Sequence, residues 1–173
     1  MTDQKSDFIL ATKHDLPAIM TITDQAKAFL KAQGVDQWQN GYPDMSDFKQ
    51  DIRHQNLFVF KLDGEVAAYA ALLAGPDAHY KVIEDGEWLN QQSPYYAIHR
   101  VAVSNQFRGQ RVVQRLFETV FVYLRSNYPS VKSVRVDTHP ENLIMQHVLA
   151  KVGFKRTGNV YMEGLRYGYE QFL

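Results

Sequence analysis

Apolar and polar positions change rhythm several times along the chain, and each change marks an element. Residues 8–11 form a short apolar strand, followed by Thr12 to Asp15 at capping-box spacing and by Pro17, placed for a first helical turn. Ile19, Ile22, Ala26, Phe29 and Leu30 then lie on one stripe at helical spacing, with Gly34 as the stop. Ser46 opens a shorter helix through about His54. Two apolar runs, 57–62 and 65–73, flank Asp63-Gly64, a two-residue hairpin signal. Residues 75–94 have no clean period and are too long for a passive connection, which marks a functional loop. The second half is more regular: a buried strand over 95–103, a polar turn over 104–110, a long helix from about Arg111 to Asn127 and a stop at Pro129. A strand at 131–138 and a helix from His139-Pro140 through Val152 to a stop at Gly153 follow. A terminal hairpin of 154–162 and 165–172 around Glu163-Gly164 closes the chain. Strands alternating with helices and flanked by hairpins predict one α/β (α+β) domain over 1–173, a mixed sheet covered by helices with a right-handed βαβ core.

Composition narrows the chemistry. With 45% hydrophobic and 22% charged among 173 residues, the chain can bury a core without a disulfide or metal staple. The absence of cysteine removes thiolate metal sites, iron–sulfur clusters and cysteine nucleophiles. Nineteen basic residues meet nineteen acidic ones, and a net charge of +0 argues against nucleic acid as a partner while allowing one local basic patch for a small anion. His139 and His147 lack HExxH spacing and a carboxylate in register, so no metal is expected. No signal-like or membrane-spanning run stands out, so a cytoplasmic protein without a membrane partner is the expectation. Oligomeric state stays open, a homodimer among the options.

The informative run is YYAIHRVAVSNQFRGQRVVQRLF, residues 95–117: a buried strand, then Arg108-Gly109-Gln110, then the start of a long helix. Free backbone N–H groups and the helix dipole favour an anion at such a junction, and Arg108, Arg111 and Arg115 cluster positive charge there. A phosphate ligand is the natural inference. There is no GxxxxGK[ST], and no GxGxxG follows a strand, so P-loop hydrolysis and Rossmann dinucleotide binding lose their signatures.

IHRVAV, FRGQR and VDTHPENLIMQHVLAKVGFKRTG stand in the order and spacing of the GNAT superfamily of acyl-CoA-dependent N-acyltransferases, which the sequence resembles over nearly its whole length. The resemblance implies a mixed, splayed β-sheet flanked by helices, with acetyl-CoA as cosubstrate beside strand 95–103. It implies that the cofactor pyrophosphate lies on Arg108, Gly109, Gln110, Arg111, Val112 and Val113. Backbone groups of Val101 and Val103 would hold the pantetheine arm and polarise the acyl carbonyl, and Asn142 would hydrogen-bond the cofactor near its sulfur end or cap its own helix. Two departures stand out. Arg111 and Val113 occupy positions where the family usually has glycine or alanine, so their Cβ atoms crowd the anion while keeping helical dihedrals. Leu149 replaces a tyrosine that serves many members as acid, although a thiol of pKa about 8.5 leaves with modest help.

The nucleophile makes the harder demand, since a lysine-like amine of pKa about 10.4 loses its proton at pH 7 at a cost of roughly 4–5 kcal/mol. His99, where the family often has glutamate, is the first candidate for the base, with Asp137 and His139 behind it; the alternative for His99 is a histidine hydrogen-bonded within the sheet. Trp38, Tyr42 and Pro43 in QWQNGYP either wall an acceptor pocket or plug the core edge. Trp88, Tyr95 and Tyr96 face the same choice, while Glu84, Asp85 and Glu87 either attract a cationic acceptor or form a solvated face. The expected activity is acetyl transfer to a primary amine of a small molecule, amino acid or peptide by direct attack. A silent acyl-CoA-binding module and a protein N-terminal acetyltransferase are the rivals.

Overall fold

Seven strands and four α-helices occur among residues 3–173, which the computed structural model describes. They run β1 (Ser6–Leu10), α1 (Leu16–Ala32), α2 (Met45–Arg53), β2 (Leu57–Leu62), β3 (Glu65–Ala74), β4 (Tyr95–Val103), α3 (Val112–Asn127), β5 (Ser133–Thr138), α4 (Leu143–Lys151), β6 (Lys155–Tyr161) and β7 (Leu165–Phe172). The sheet order is β1-β2-β3-β4-β5-β7-β6. β4 and β5 are parallel, whereas β1–β2, β2–β3, β5–β7 and β6–β7 are antiparallel. This is the mixed α+β sheet with flanking helices that the sequence predicts. None of the described helices is long and apolar enough to cross a membrane.

Two compact units divide the chain, one of residues 3–72 and 100–116 and the other of 73–99 and 117–173. In the first, Thr12 and Asp15 form the expected reciprocal box: the Thr12 N–H donates to Asp15 Oδ2 at 2.8 Å and the His14 N–H donates to Thr12 Oγ1 at 3.3 Å. α1 buries Leu16, Ile19, Ile22 and Thr23 and stops where Gly34 takes φ 73°. The cap of α2 is Asp44, not Ser46. The Asp44 carboxylate accepts both the Ser46 and Asp47 N–H groups, and the Ser46 hydroxyl itself donates to that carboxylate at 2.8 Å, so the carboxylate outcompetes it as the acceptor. Asp63 and Gly64 turn the β2–β3 hairpin with φ 49° and 85°, the left-handed pair a two-residue turn requires.

In the second unit, Phe117 and Phe121 of α3 pack on Phe154, and Tyr80, Trp88, Ala97 and Val160 form a buried cluster. Segment 75–94 is held by its main chain. Glu170, 0% exposed, accepts the N–H groups of Leu89 at 2.6 Å and Asn90 at 3.1 Å, the Ser133 hydroxyl at 2.7 Å and Arg135 Nε at 2.9 Å. Arg135 also donates to the Asn90 carbonyl at 2.6 Å and lies over the rings of Tyr95 and Trp88. A buried carboxylate is tolerable only with such saturation. Farther along, Glu84 and Asn159 exchange backbone hydrogen bonds at 2.9 and 2.8 Å. There Gly86 and Gly158 let two main chains touch: a Cβ on Gly86 would overlap the Thr157 carbonyl, and one on Gly158 would lie 2.7 Å from the Glu84 carbonyl oxygen.

Candidate functional site

β4 carries candidate residues into both units, and its course is irregular where they sit. Pairing with β5 runs Tyr95↔Ser133, Tyr96↔Val134 and Ala97↔Arg135, and Ile98 and His99 have no register partner there, although β5 remains paired with β7 as far as Thr138. Arg100 then takes φ 49°, a left-handed value that is rare for a residue with a Cβ.

In the first unit the Arg100 guanidinium grips Asp51 with two bonds of 2.7 Å and donates to the Tyr42 hydroxyl at 2.7 Å. Such a bidentate fork is the strong form of this pairing. It ties Tyr42, one of the expected acceptor-wall residues, to the strand, leaving the tyrosine 41% exposed. Trp38 is half-buried in the same connection with φ 61°. Lys27 Nζ donates to the Pro43 carbonyl at 2.7 Å, and Gln39 donates to the Lys27 and Gln37 carbonyls at 3.0 Å, so residues 37–43 have a defined path. Val101 and Val103 are half-buried on β4, on either side of buried Ala102.

After β4, a 3-10 turn at Asn105–Phe107 leads into the expected anion loop. Gly109 has φ 81°, and a Cβ there would meet nothing within 4 Å. Arg111 also has φ 56°, which corrects the expectation of helical dihedrals at that position: α3 begins at Val112, and the Arg111 carbonyl accepts from the Arg115 N–H at 3.0 Å. The reason is the path of the loop, which needs a left-handed residue just before the helix whether or not glycine supplies it. Arg108, Gly109, Gln110 and Arg111 are exposed, Val112 is buried and Val113 half-buried; the Arg108 guanidinium lies over the Phe29 ring at 4.2 Å. The start of an α-helix is where backbone N–H groups and the helix dipole favour an anion, and Arg108 to Arg111 lie just ahead of that start.

In the second unit His99 Nε2 lies 2.9 Å from Asp77 Oδ2. The other oxygen of Asp77 accepts the His79 N–H at 2.8 Å, and the Asp77 N–H donates to the Tyr95 hydroxyl at 2.6 Å. The hydrogen bond with His99, assisted by the His79 N–H and opposed by burial, lowers the Asp77 carboxyl to about 2. The Tyr80 ring lies tilted 5.9 Å from the His99 ring and its hydroxyl donates to Asp137 at 2.6 Å; burial first, then Asp137, pushes that phenol well above its ordinary value. Asp137 is therefore engaged by Tyr80, with Arg166 at 4.0 Å, and His139 accepts the Glu141 N–H at 3.1 Å. Trp88 is 6% exposed and donates its indole N–H to the Tyr80 carbonyl, a packing position in the core. Glu84 accepts from Tyr161 and Asp85 from Asn159, while Tyr96 packs on Tyr128. Asn142 caps α4 through the Met145 N–H at 3.1 Å, and Leu149 is fully buried where a tyrosine would serve as acid. No cluster of three or more His, Asp or Glu that could hold a metal forms among the described residues.

Sequence reasoning placed Asp77 in the functional loop 75–94 without giving it a partner, and missed Asp51 and the role of Arg100. The one local signal was Asp-x-His at 77–79, a polar turn motif inside an aperiodic stretch; the partners lie 22 and 49 residues away.

Comparison with known proteins bears on the family and the fold. The acetyltransferase (GNAT) family model matches residues 23–154. A crystal structure of a GNAT-family acetyltransferase from Streptococcus agalactiae 2603 is similar with a TM-score of 0.89 and 33% identity, covering 97% of this chain and 95% of that one. An uncharacterized N-acetyltransferase of Bacillus subtilis (strain 168) is 26% identical over 152 residues, 86% of this chain and 81% of that protein. The fold is also like that of an aminoglycoside acetyltransferase in complex with coenzyme A and kanamycin, at 21% identity and a TM-score of 0.68 over 97% and 95% of the two chains. The chain belongs to the GNAT acetyltransferase family.

Proposed function

We propose that this chain is an acetyl-CoA-dependent N-acetyltransferase, acting as one domain over 1–173, whose acceptor is the primary amine of a small molecule or amino acid. The observation that carries the reading is the loop before α3, where Gly109 and Arg111 both turn left-handed ahead of a helix start in a chain of this family. Arg111 supplies the backbone turn that glycine usually gives, so a diphosphate can approach the amides of 109–113, and the Arg108 and Arg111 charges add to the helix dipole. Acetyl-CoA, when bound, supplies the thioester from which the acetyl group passes to the amine nitrogen. The backbone of Val101 and Val103 aligns the pantetheine arm, and Asn142, whose side-chain oxygen caps α4, is assigned to the sulfur end by its place in the family motif. Trp38 and Tyr42 wall the acceptor, and His99 takes the proton the amine gives up as it attacks, with no covalent enzyme intermediate. Leu149 donates nothing to the departing thiolate, whose modest basicity makes a dedicated acid dispensable. An aminoglycoside acetyltransferase of like fold, in complex with coenzyme A and kanamycin, motivates this choice of acceptor class.

Calorimetry with acetyl-CoA, then a thiol-release assay over a panel of amines and amino acids, tests the reading. Binding with turnover of at least one primary amine is expected, and Arg108→Ala should raise the dissociation constant and weaken its salt dependence. Binding without turnover across the panel would make the chain a silent acyl-CoA module; no binding at about millimolar acetyl-CoA, far above a usual working affinity, overturns the proposal outright.

A further inference from the structure

Segment 75–94 brings one acidic side chain onto the histidine assigned as base, and the geometry around it is specific. Asp77 is held by its N–H on the Tyr95 hydroxyl, by one oxygen on the His79 N–H with His79 Nδ1 3.3 Å away, and by the other oxygen on His99 Nε2. Its approach to Tyr95 depends on Gly75, whose N–H donates to the Tyr95 carbonyl at 2.9 Å and whose missing Cβ leaves room for the Tyr95 ring. Among the described residues, His99 Nδ1 has no hydrogen-bond partner.

We propose that Asp77 is the positioning residue for His99: it holds the imidazole with the proton on Nε2, so that Nδ1 is the nitrogen that accepts the amine proton. The inference rests on the reading of His99 as base. A carboxylate only accepts, so the nitrogen facing it carries hydrogen, and in a neutral imidazole the lone pair then lies on the other nitrogen. The proton taken from the amine converts the ring to imidazolium, which keeps its Nε2–H donated to the carboxylate. Besides Asp77, the titratable group against this ring is Tyr80; His79 and Tyr95 contact Asp77 itself, Asp137 of β5 accepts from the Tyr80 hydroxyl, and Arg166 of β7 lies beside Asp137.

Asp77→Asn makes the case testable, because the amide must choose. Keeping its carbonyl oxygen on the His79 N–H preserves the turn and aims the NH2 group at His99 Nε2, which then has to accept; the ring proton moves to Nδ1 and the base is lost. Side-chain 15N NMR of histidine-labelled protein at about pH 8, with the His99 signals assigned by His99→Gln, should find Nε2–H in the wild type and Nδ1–H in Asp77→Asn. The same variant should lose at least about 10²-fold in kcat with KM changed by less than about threefold, whereas Asp77→Glu should keep Nε2–H and lose less. An Nδ1–H ring in the wild type overturns the proposal without any variant. Wild-type kcat in Asp77→Asn with a flipped tautomer also overturns it. A pH–rate curve unchanged in His99→Gln removes the base reading itself, while the wild-type tautomer still reports the geometry, so the two failures are distinct.

Discussion

Arg111→Gly is expected to stabilise the protein. Arg111 sits at φ 56°, is exposed, and its side chain makes no hydrogen bond or ion pair among the described residues, so the substitution removes backbone strain and little else. A left-handed L-residue costs about 1–2 kcal/mol, and glycine gives back about 0.4–1 kcal/mol through the greater freedom of the unfolded chain. The difference, about 0.5–1 kcal/mol, should raise Tm by about 1–4 °C in a chain of this size. Val113→Gly is the control. Two residues on, inside α3 and half-buried, glycine forfeits helix propensity and part of a valine's burial, about 1.5 kcal/mol together, and Tm should fall by about 3–6 °C. Differential scanning calorimetry without ligand, with urea unfolding as a second measure, reads both signs. If Arg111→Gly lowers stability by as much as Val113→Gly, Arg111 is part of the helix and the case for a glycine-like turn at the anion loop collapses.

Glu170→Gln should cost about 3–5 kcal/mol, because it leaves the buried Arg135 guanidinium without its counter-charge; a Tm drop under about 3 °C would show the pair to be dispensable. Asp77 makes a pH-dependent contribution. With its folded carboxyl lowered to about 2 from 3.8, the stabilisation is complete above about pH 4 and is lost as pH falls through about 2. Acid titration of wild type and Asp77→Asn should therefore give separate unfolding curves at pH 6 that converge near pH 2, and parallel curves throughout would contradict the dyad. Gly75→Ala places a Cβ 2.5 Å from the Tyr95 ring, which also contacts Arg135 at 3.8 Å, so a loss of about 1–3 kcal/mol is expected together with reduced kcat; unchanged kcat and Tm would mean that the ring swings aside freely.

Elements whose signals are local are legible in the sequence. Thr12 and Asp15, Asp63-Gly64 and Gly153 each set a cap or turn within a few residues, and the structure uses them so. Even a local signal has a competitor: Asp44, two residues before Ser46, takes the cap because an ionised carboxylate accepts more strongly than a hydroxyl. The left-handed turn at Arg111 escapes local reading because the side chain there does not advertise the dihedral; the closure of the loop onto α3 imposes it. Segment 75–94 looks aperiodic for a similar reason. Its order comes from Glu170, about 80 residues on, and from the aromatic rings over Arg135, neither of which leaves a periodic trace. Of the candidate site, the turn at 108–111 ahead of α3 and the place of His99 on β4 are legible in the sequence, whereas Asp77 and the Arg100–Asp51 fork need the folded chain.

The paired glycines at 86 and 158 bear on how this chain can diverge. Each would strike the opposite main chain if it gained a methyl group, and no change at one position makes space for a side chain at the other, because peptide carbonyls cannot be mutated away. Mutational drift can thus rewrite the outward-facing side chains between 75 and 94, and with them what the segment meets, while its anchorage to β6 stays frozen. Divergence in this segment would act by changing side chains on a fixed mount, and not by moving the mount.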